Sequence, residues 1–248
     1  MPQLPEGIQA VKLEALRDYT QVFDLGAFTY PRPSLDASLR RLETLLQMGV
    51  TEIFVEPLDG YLRPVVLGKG FRGVVILCTA GGKPVAAKLK RADAPPKDFV
   101  REGELGCIAA GLEVGPEILG FNEEVIVMGY VDGVHLEKAC RFLETSTVAE
   151  ILDKCYILDR NGLDHGQLSD ASHHVIVTSE GPVLIDFGNA SMRRRPRNVS
   201  SITSYLINRI GRTHEMLRPY LRRYISEPNP STYTVLKQKI LELLVKGS

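Results

Sequence analysis

At 248 residues, 44% of them apolar and 24% charged, the chain is long enough to bury a full core, and its composition excludes a disordered or fibrous protein. No apolar run is long enough to span a bilayer, "MPQLPEGIQ" has no basic region followed by an apolar stretch, and Cys78, Cys107, Cys140 and Cys155 form no CxxC pair, which speaks against a zinc site and for reduced thiols in the cytoplasm. The formal net charge is zero, yet residues 188–224 hold nine Arg and one Glu with no Lys or Asp, a local +8 that points to a polyanionic partner unless it is a solvated arginine-rich helix face.

Taken in chain order, residues 1–60 predict a helical N-terminal piece. A weak helical pattern covers 8–23. A stronger one starts at Ser34, which can cap it, places Leu35, Leu39, Leu42 and Leu46 on one stripe, and ends near Gly49. The linker "TYPRPS" joins the two, and the piece reads as packing cover for the next lobe rather than as a helix-turn-helix unit. From 63 to 90 the pattern changes to strands: "RPVVLGKG", "FRGVVILCT" and "KPVAAKLK" are β-branched runs separated by glycine turns. A helix is expected over 97–110 and a strand at "EVIVMGYV". Thr147 and Glu150 have capping-box spacing ahead of a helix whose Val148, Ile151, Leu152, Cys155 and Leu158 share a face, with Asn161-Gly162 ending it. Two short strands, "HHVIVT" and "PVLIDF", precede two C-terminal helices, the last capped at Asn229-Pro230-Ser231. A β-rich half followed by a helical half predicts a bilobal α+β fold, divided into 1–60, a first lobe 61–131 and a second lobe 132–248.

Five features carry chemistry. "GKGFRGVV" fits G-x-G-x-x-G-x-V, with Gly68, Lys69, Gly70, Gly73 and Val75. Glycines at that spacing let a hairpin turn lie over phosphates with its N–H groups aimed at the anion. An ordinary glycine turn gives the same match. Lys88 of "VAAK" lies on the next strand, where its alternation leaves its face open, and the following helix offers Glu102 and Glu104 as partners. Glu102 is preferred for its E-x-x-L spacing to Leu105. In "VIVMGYVDG", Met128 and the backbone of Gly129 and Val131 suit an adenine at the segment joining the lobes. "DHGQLSDASHHVIV" supplies His165, and "DFG" supplies Asp186 as a Mg²⁺ ligand.

Order and spacing of these five are those of a kinase. The chain resembles the small atypical kinases of the RIO and tRNA-modification-complex (KEOPS) type over roughly 63–224, and is most similar to the archaeal RNA kinases that phosphorylate a tRNA 2′-hydroxyl. The resemblance implies a kinase-like fold with a reduced second lobe, ATP and Mg²⁺ as cofactors, and tRNA as partner, bound through Arg193, Arg194, Arg195 and Arg197 directly after the DFG. Two departures stand out. Gln167 occupies the place of the catalytic Asp, leaving Asp170 as the carboxylate inside the loop to act as base, with Gln167 orienting the hydroxyl. The Mg²⁺-binding Asn is absent. Counting from Gln167 puts Ser172 there, counting back from the strand puts His174 there, and His173 lies between; His174 is preferred because strand register is constrained. A protein Ser/Thr kinase and a nucleotide-binding pseudokinase are the alternatives.

Overall fold

The glycine-punctuated apolar runs fold as strands because each alternates a core-facing and an outward residue between turns that only glycine adopts cheaply. The computed structural model describes residues 7–17, 25–58, 61–94, 99–140, 143–209 and 214–245. The start of the helix expected at 97 and the end of the one expected over 8–23 lie outside these residues, as does Arg212.

The chain divides into two units, Met1–Glu104 with Glu117–Tyr130, and Leu105–Pro116 with Val131–Ser248. The first contains β1 (Gln9–Lys12), α1 (Leu35–Gln47), β2 (Val50–Leu58), β3 (Tyr61–Pro64), β4 (Val66–Lys69), β5 (Gly73–Ala80), β6 (Lys83–Lys90), β7 (Ile118–Phe121) and β8 (Val125–Gly129). Its sheet runs β1-β2-β5-β6-β8-β7, with β3 paired to β2 and β4 to β5. Helix α2 (Phe99–Gly111) begins in this unit and ends in the second.

Residues 1–60 therefore correct the expectation of a separate helical piece. The weak helix expected over 8–23 opens instead as strand β1 followed by a 3₁₀ turn at Leu13–Arg17, and β2 lies inside the sheet between β1 and β5. Val50, Ile53 and Val55 of β2 are fully buried in the same cluster as Val85, Ala87 and Leu89 of β6. The physical reason is edge completion: β5 would otherwise expose a long row of unpaired backbone groups. Ser34 caps α1 as expected, its hydroxyl accepting from Ala37 N at 3.4 Å. Of the expected stripe, Leu42 is buried and Leu39 and Leu46 pack partly buried against the same core, while Leu35 is exposed; Ser38, Arg41 and Leu45 complete the buried face. Arg41, buried on that face, reaches the Phe28 carbonyl and Glu124, 3.4 Å from Nε.

The second unit holds β9 (Val134–His135), α3 (Leu136–Ala139), α4 (Thr145–Arg160), β10 (Val175–Thr178), β11 (Gly181–Leu184), α5 (Asn198–Arg209), α6 (Arg218–Ser226) and α7 (Pro230–Val245). The ribbon β11-β10-β9 is antiparallel. Helix α4 buries all five residues of its expected face, but it starts two residues before the anticipated capping box, and Val148 N bonds to the Glu144 carbonyl instead. Asn229 caps α7, its Oδ1 accepting from Thr232 N at 3.0 Å. Among the described residues three α-helices, rather than two, come after the DFG.

Candidate active site

In the first unit the site is built on β6. Val85, Ala87 and Leu89 point into the core cluster shared with β2, so Ala86 and Lys88 occupy the opposite face of the strand. There Lys88 forms a buried ion pair with Glu102 of α2, each residue 8% exposed. Of the two glutamates, Glu102 is the one that meets Lys88. A buried ammonium needs such a partner, because desolvation without one costs several kcal/mol. Val75 pairs with Lys88 across β5–β6.

Of the three motif glycines, Gly73 is the one where a side chain would be crowded. A Cβ on Gly73 would lie 3.0 Å from the Leu89 carbonyl and 3.1 Å from Lys88 Cγ, so the absence of a side chain there lets Lys88 pass across the hairpin. Gly68 and Gly70 are exposed together with Lys69, and a Cβ on either would meet nothing nearer than 3.8 Å, while Gly70 N donates to the Gly73 carbonyl at 2.9 Å across the hairpin. Met128, half-buried on β8, lies in register with Ala86, and Gly129 N is already bonded to the Glu117 carbonyl at 2.9 Å. Val131 opens the second unit.

The second unit holds the loop residues. His165 is fully buried; its Nε2 lies 3.0 Å from the Ile185 carbonyl, and its ring packs on Phe187 at 4.9 Å and on His174 at 5.4 Å. Burial depresses its pKa to about 4, so the ring is neutral at pH 7. Its side chain thus bridges the loop at 163–174 and the Ile185–Phe187 segment. Asp186 is exposed and left-handed, φ 64° and ψ 73°, a conformation disfavoured for any side chain but Gly, Asn or Asp. Asp186 stays at the surface while Phe187 is buried in the core.

Gln167 is half-buried, and its carbonyl accepts from Asp170 N at 3.0 Å. Asp170 is exposed and accepts the Ser172 hydroxyl at 2.8 Å, which holds its pKa below the ordinary carboxylate value. The remaining contacts of Ser172 are Tyr205 Oη at 3.3 Å and Arg209 Nη2 at 3.2 Å. His173 is exposed and faces Glu137 at 3.6 Å. His174, with its Nδ1 buried, has its pKa lowered by burial against the opposing pull of Asp186 and Asp170.

The arginine block divides in two. Arg194 pairs with the carboxylate of Asp164 and donates to the Asn189 carbonyl at 2.6 Å. It packs over Gly166, where a Cβ would fall 2.0 Å from its Nη2 and where φ is +84°. Asp164 forms an isolated bridge with Ser191, and its second oxygen accepts from Arg197 N at 3.0 Å. Arg195 donates to the Ile225 carbonyl on α6. Arg194 and Arg195 are therefore internal ties, not idle cations awaiting a polyanion. Arg193 and the side chains of Arg197, Arg218, Arg222 and Arg223 are exposed. Residue-by-residue reading missed Asp164, although a carboxylate directly before the loop His was its visible signal. It also missed Asn198, whose Oδ1 holds His165 N at 2.8 Å from 33 residues away and which has no local signal at all.

The family description "RIO domain" matches residues 106–207, somewhat under half of the chain. That span includes the catalytic loop, Asp186 and Arg193 to Arg197, and leaves out the glycine hairpin and Lys88. No curated protein matches the chain. On the family match and the α+β, kinase-like fold, the protein is an ATP-dependent phosphotransferase similar to the RIO-type atypical kinases. Among the described residues no helix is long and apolar enough to cross a membrane.

Proposed function

We propose that this RIO-type phosphotransferase transfers the γ-phosphate of ATP to an RNA hydroxyl, with a tRNA 2′-hydroxyl as the acceptor. The observation that carries the reading is the set of exposed arginines outside the internal ties: Arg193 and Arg197 beside the DFG, and Arg218, Arg222 and Arg223 on α6, the helix to which Arg195 ties the same segment. Arg suits phosphates because its fork bonds two oxygens at once. This relocates the RNA contacts from Arg194 and Arg195 to their neighbours.

The roles we assign rest on the geometry of each residue. Lys88, fixed by Glu102, neutralises the α- and β-phosphates, and the exposed hairpin at Gly68, Lys69 and Gly70, closed by the hydrogen bond from Gly70 N to the carbonyl of buried Gly73, is assigned to the chain of phosphates. Val75, Met128 and the Val131 backbone are assigned to the nucleoside end. Asp186 offers an exposed oxygen donor of the kind Mg²⁺ takes, and among the described residues no group of three His, Cys, Asp or Glu side chains gathers around it. The residues would hold a cation through the Asp186 carboxylate and at most one further side chain, its shell completed by phosphates and water, not an all-protein cage. When bound, Mg²⁺ supplies charge neutralisation at the transferred phosphoryl group. His174 is assigned as the second residue of that site. Electrostatic coupling to Asp186 supports it over His173, which faces Glu137, and over Ser172, whose hydroxyl serves Asp170. Gln167 orients the attacking hydroxyl, and Asp170, ionised at neutral pH, takes its proton.

The test is incubation of the purified chain with γ-labelled ATP and Mg²⁺, offering total tRNA and total protein in parallel. Label in tRNA that survives removal of terminal phosphates supports the reading. Label confined to protein makes this a protein kinase, and nucleotide binding without transfer to either makes it a binding module.

A further inference from the structure

The linker "TYPRPS" has no part in the phosphate chemistry, yet the ring of its Tyr30 is shared by two cations that belong to the glycine hairpin and its base. Lys69 Nζ, on the hairpin itself, stands 4.8 Å from the ring centroid. Arg91 Cζ, just after β6, stands 5.0 Å from it. Arg91 in turn holds the hairpin. Its N–H donates to the Arg72 carbonyl at 2.8 Å, and Nη1 donates to the Gly70 carbonyl at 3.3 Å. The rest of its guanidinium is fixed by Asp93, with Nε and Nη2 each 2.8 Å from a carboxylate oxygen. Tyr30 is itself anchored, since its carbonyl accepts from Ala92 N at 2.9 Å.

The hairpin needs such an anchor. Gly68 and Gly70 meet almost nothing, and Phe71 at the tip is 79% exposed, so the loop has little packing of its own. Glycine backbones lose the most freedom on ordering, and that loss would otherwise fall on nucleotide binding. A ring face attracts cations through its quadrupole. It therefore draws Lys69 and Arg91 toward one point despite their mutual repulsion.

We propose that Tyr30 is a positioning residue for the nucleotide loop: its ring face gathers Lys69 and Arg91 and so holds the hairpin in the conformation that receives ATP, without touching the nucleotide. The inference rests on the assignment of the hairpin to the phosphates and is independent of the acceptor.

The test uses the full chain with Tyr30→Phe, which keeps the ring face, and Tyr30→pentafluorophenylalanine, which keeps the shape and reverses the quadrupole. ATP affinity is measured by calorimetry, turnover by steady-state kinetics, and folding by thermal melting. Tyr30→Phe should bind ATP within about twofold of the unsubstituted chain. The fluorinated variant should bind about fivefold to tenfold more weakly, the size expected for losing two partly exposed cation–π contacts, with KM for ATP rising in proportion and kcat unchanged. Normal ATP affinity in the fluorinated variant, or an equal loss in both variants, overturns the proposal. Failure of the unsubstituted chain to bind ATP overturns the hairpin assignment and this inference with it, an outcome distinct from a failure specific to the ring.

Discussion

Lys88 and Glu102 show how one residue's environment fixes both stability and chemistry. Buried together, each ion makes the other tolerable, so removing one leaves an uncompensated charge. Glu102→Ala should lower stability by about 3 kcal/mol or more in urea unfolding and abolish transfer, because Lys88 loses both its partner and its aim. Lys88→Met should remove transfer at smaller cost in stability, since Glu102 can relieve its burial by taking up a proton. Equal turnover in the Lys88→Met variant and the unsubstituted chain would sink the assignment of this pair. Asp186→Asn keeps a residue that tolerates the left-handed backbone while removing the charge. Its turnover should fall about a hundredfold or more with little change in melting. The same logic separates neighbouring arginines. Arg194→Ala opens the contact over Gly166 and strips a buried carboxylate of its cation, so it should destabilise the fold by about 2 kcal/mol. Arg193→Ala should leave stability within about 0.5 kcal/mol.

Among the elements, α4, α5 and α6 meet at Asp159, which accepts from Asn198 N and Nδ2 at 2.8 Å, Val199 N at 3.2 Å and Tyr224 Oη at 2.8 Å. Burial raises its pKa, outweighing those four donors, which lower it. The native state thus binds this proton more tightly than the unfolded chain. The group's contribution to stability is fully present below its unfolded value near 3.8 and is lost as pH rises through its native value. The stability of the unsubstituted chain relative to Asp159→Asn should therefore decline from pH 4 to pH 7 in urea titrations. A difference that grows over that range would mean the donors prevail over burial. Legibility divides in the same way between local and distant causes. The glycine hairpin, β6, the buried face of α4 and the Asn229 cap were readable because each is set by residues within one or two turns. Strand β2 was not, because its apolar run is short and interrupted by Glu52 and Glu56, and the leucines of α1 drew the whole region toward helix. The roles of Arg194 and Asn198 were hidden because their partners lie 30 residues or more away along the chain.

For the whole molecule, zero net charge means that no long-range field attracts a polyanion, and affinity must come from where the charges lie. The +8 of 188–224 overstates the charge that can reach an RNA. Arg194 answers Asp164, Arg195 answers a helix carbonyl, and Arg209 answers Glu137 and Ser172. Among the described residues five arginines with exposed side chains remain, Arg193, Arg197, Arg218, Arg222 and Arg223. If each neutralises about one RNA phosphate, counterion release sets the slope of log affinity against log salt at roughly −3.5 to −4.5. A peptide acceptor, with few phosphates or none, would give a much shallower dependence. Charge reversal of Arg193 and Arg222 together should weaken tRNA binding strongly and reduce the slope by about 2, with ATP affinity unchanged. Arg194→Ala serves as the control, lowering stability and leaving the slope intact because its guanidinium is already spoken for. Binding should be followed across a salt series by fluorescence anisotropy of labelled tRNA, below the melting temperature of every variant. A flat salt response, or a slope reduced by Arg194→Ala but not by the double reversal, would remove these five arginines as the RNA surface.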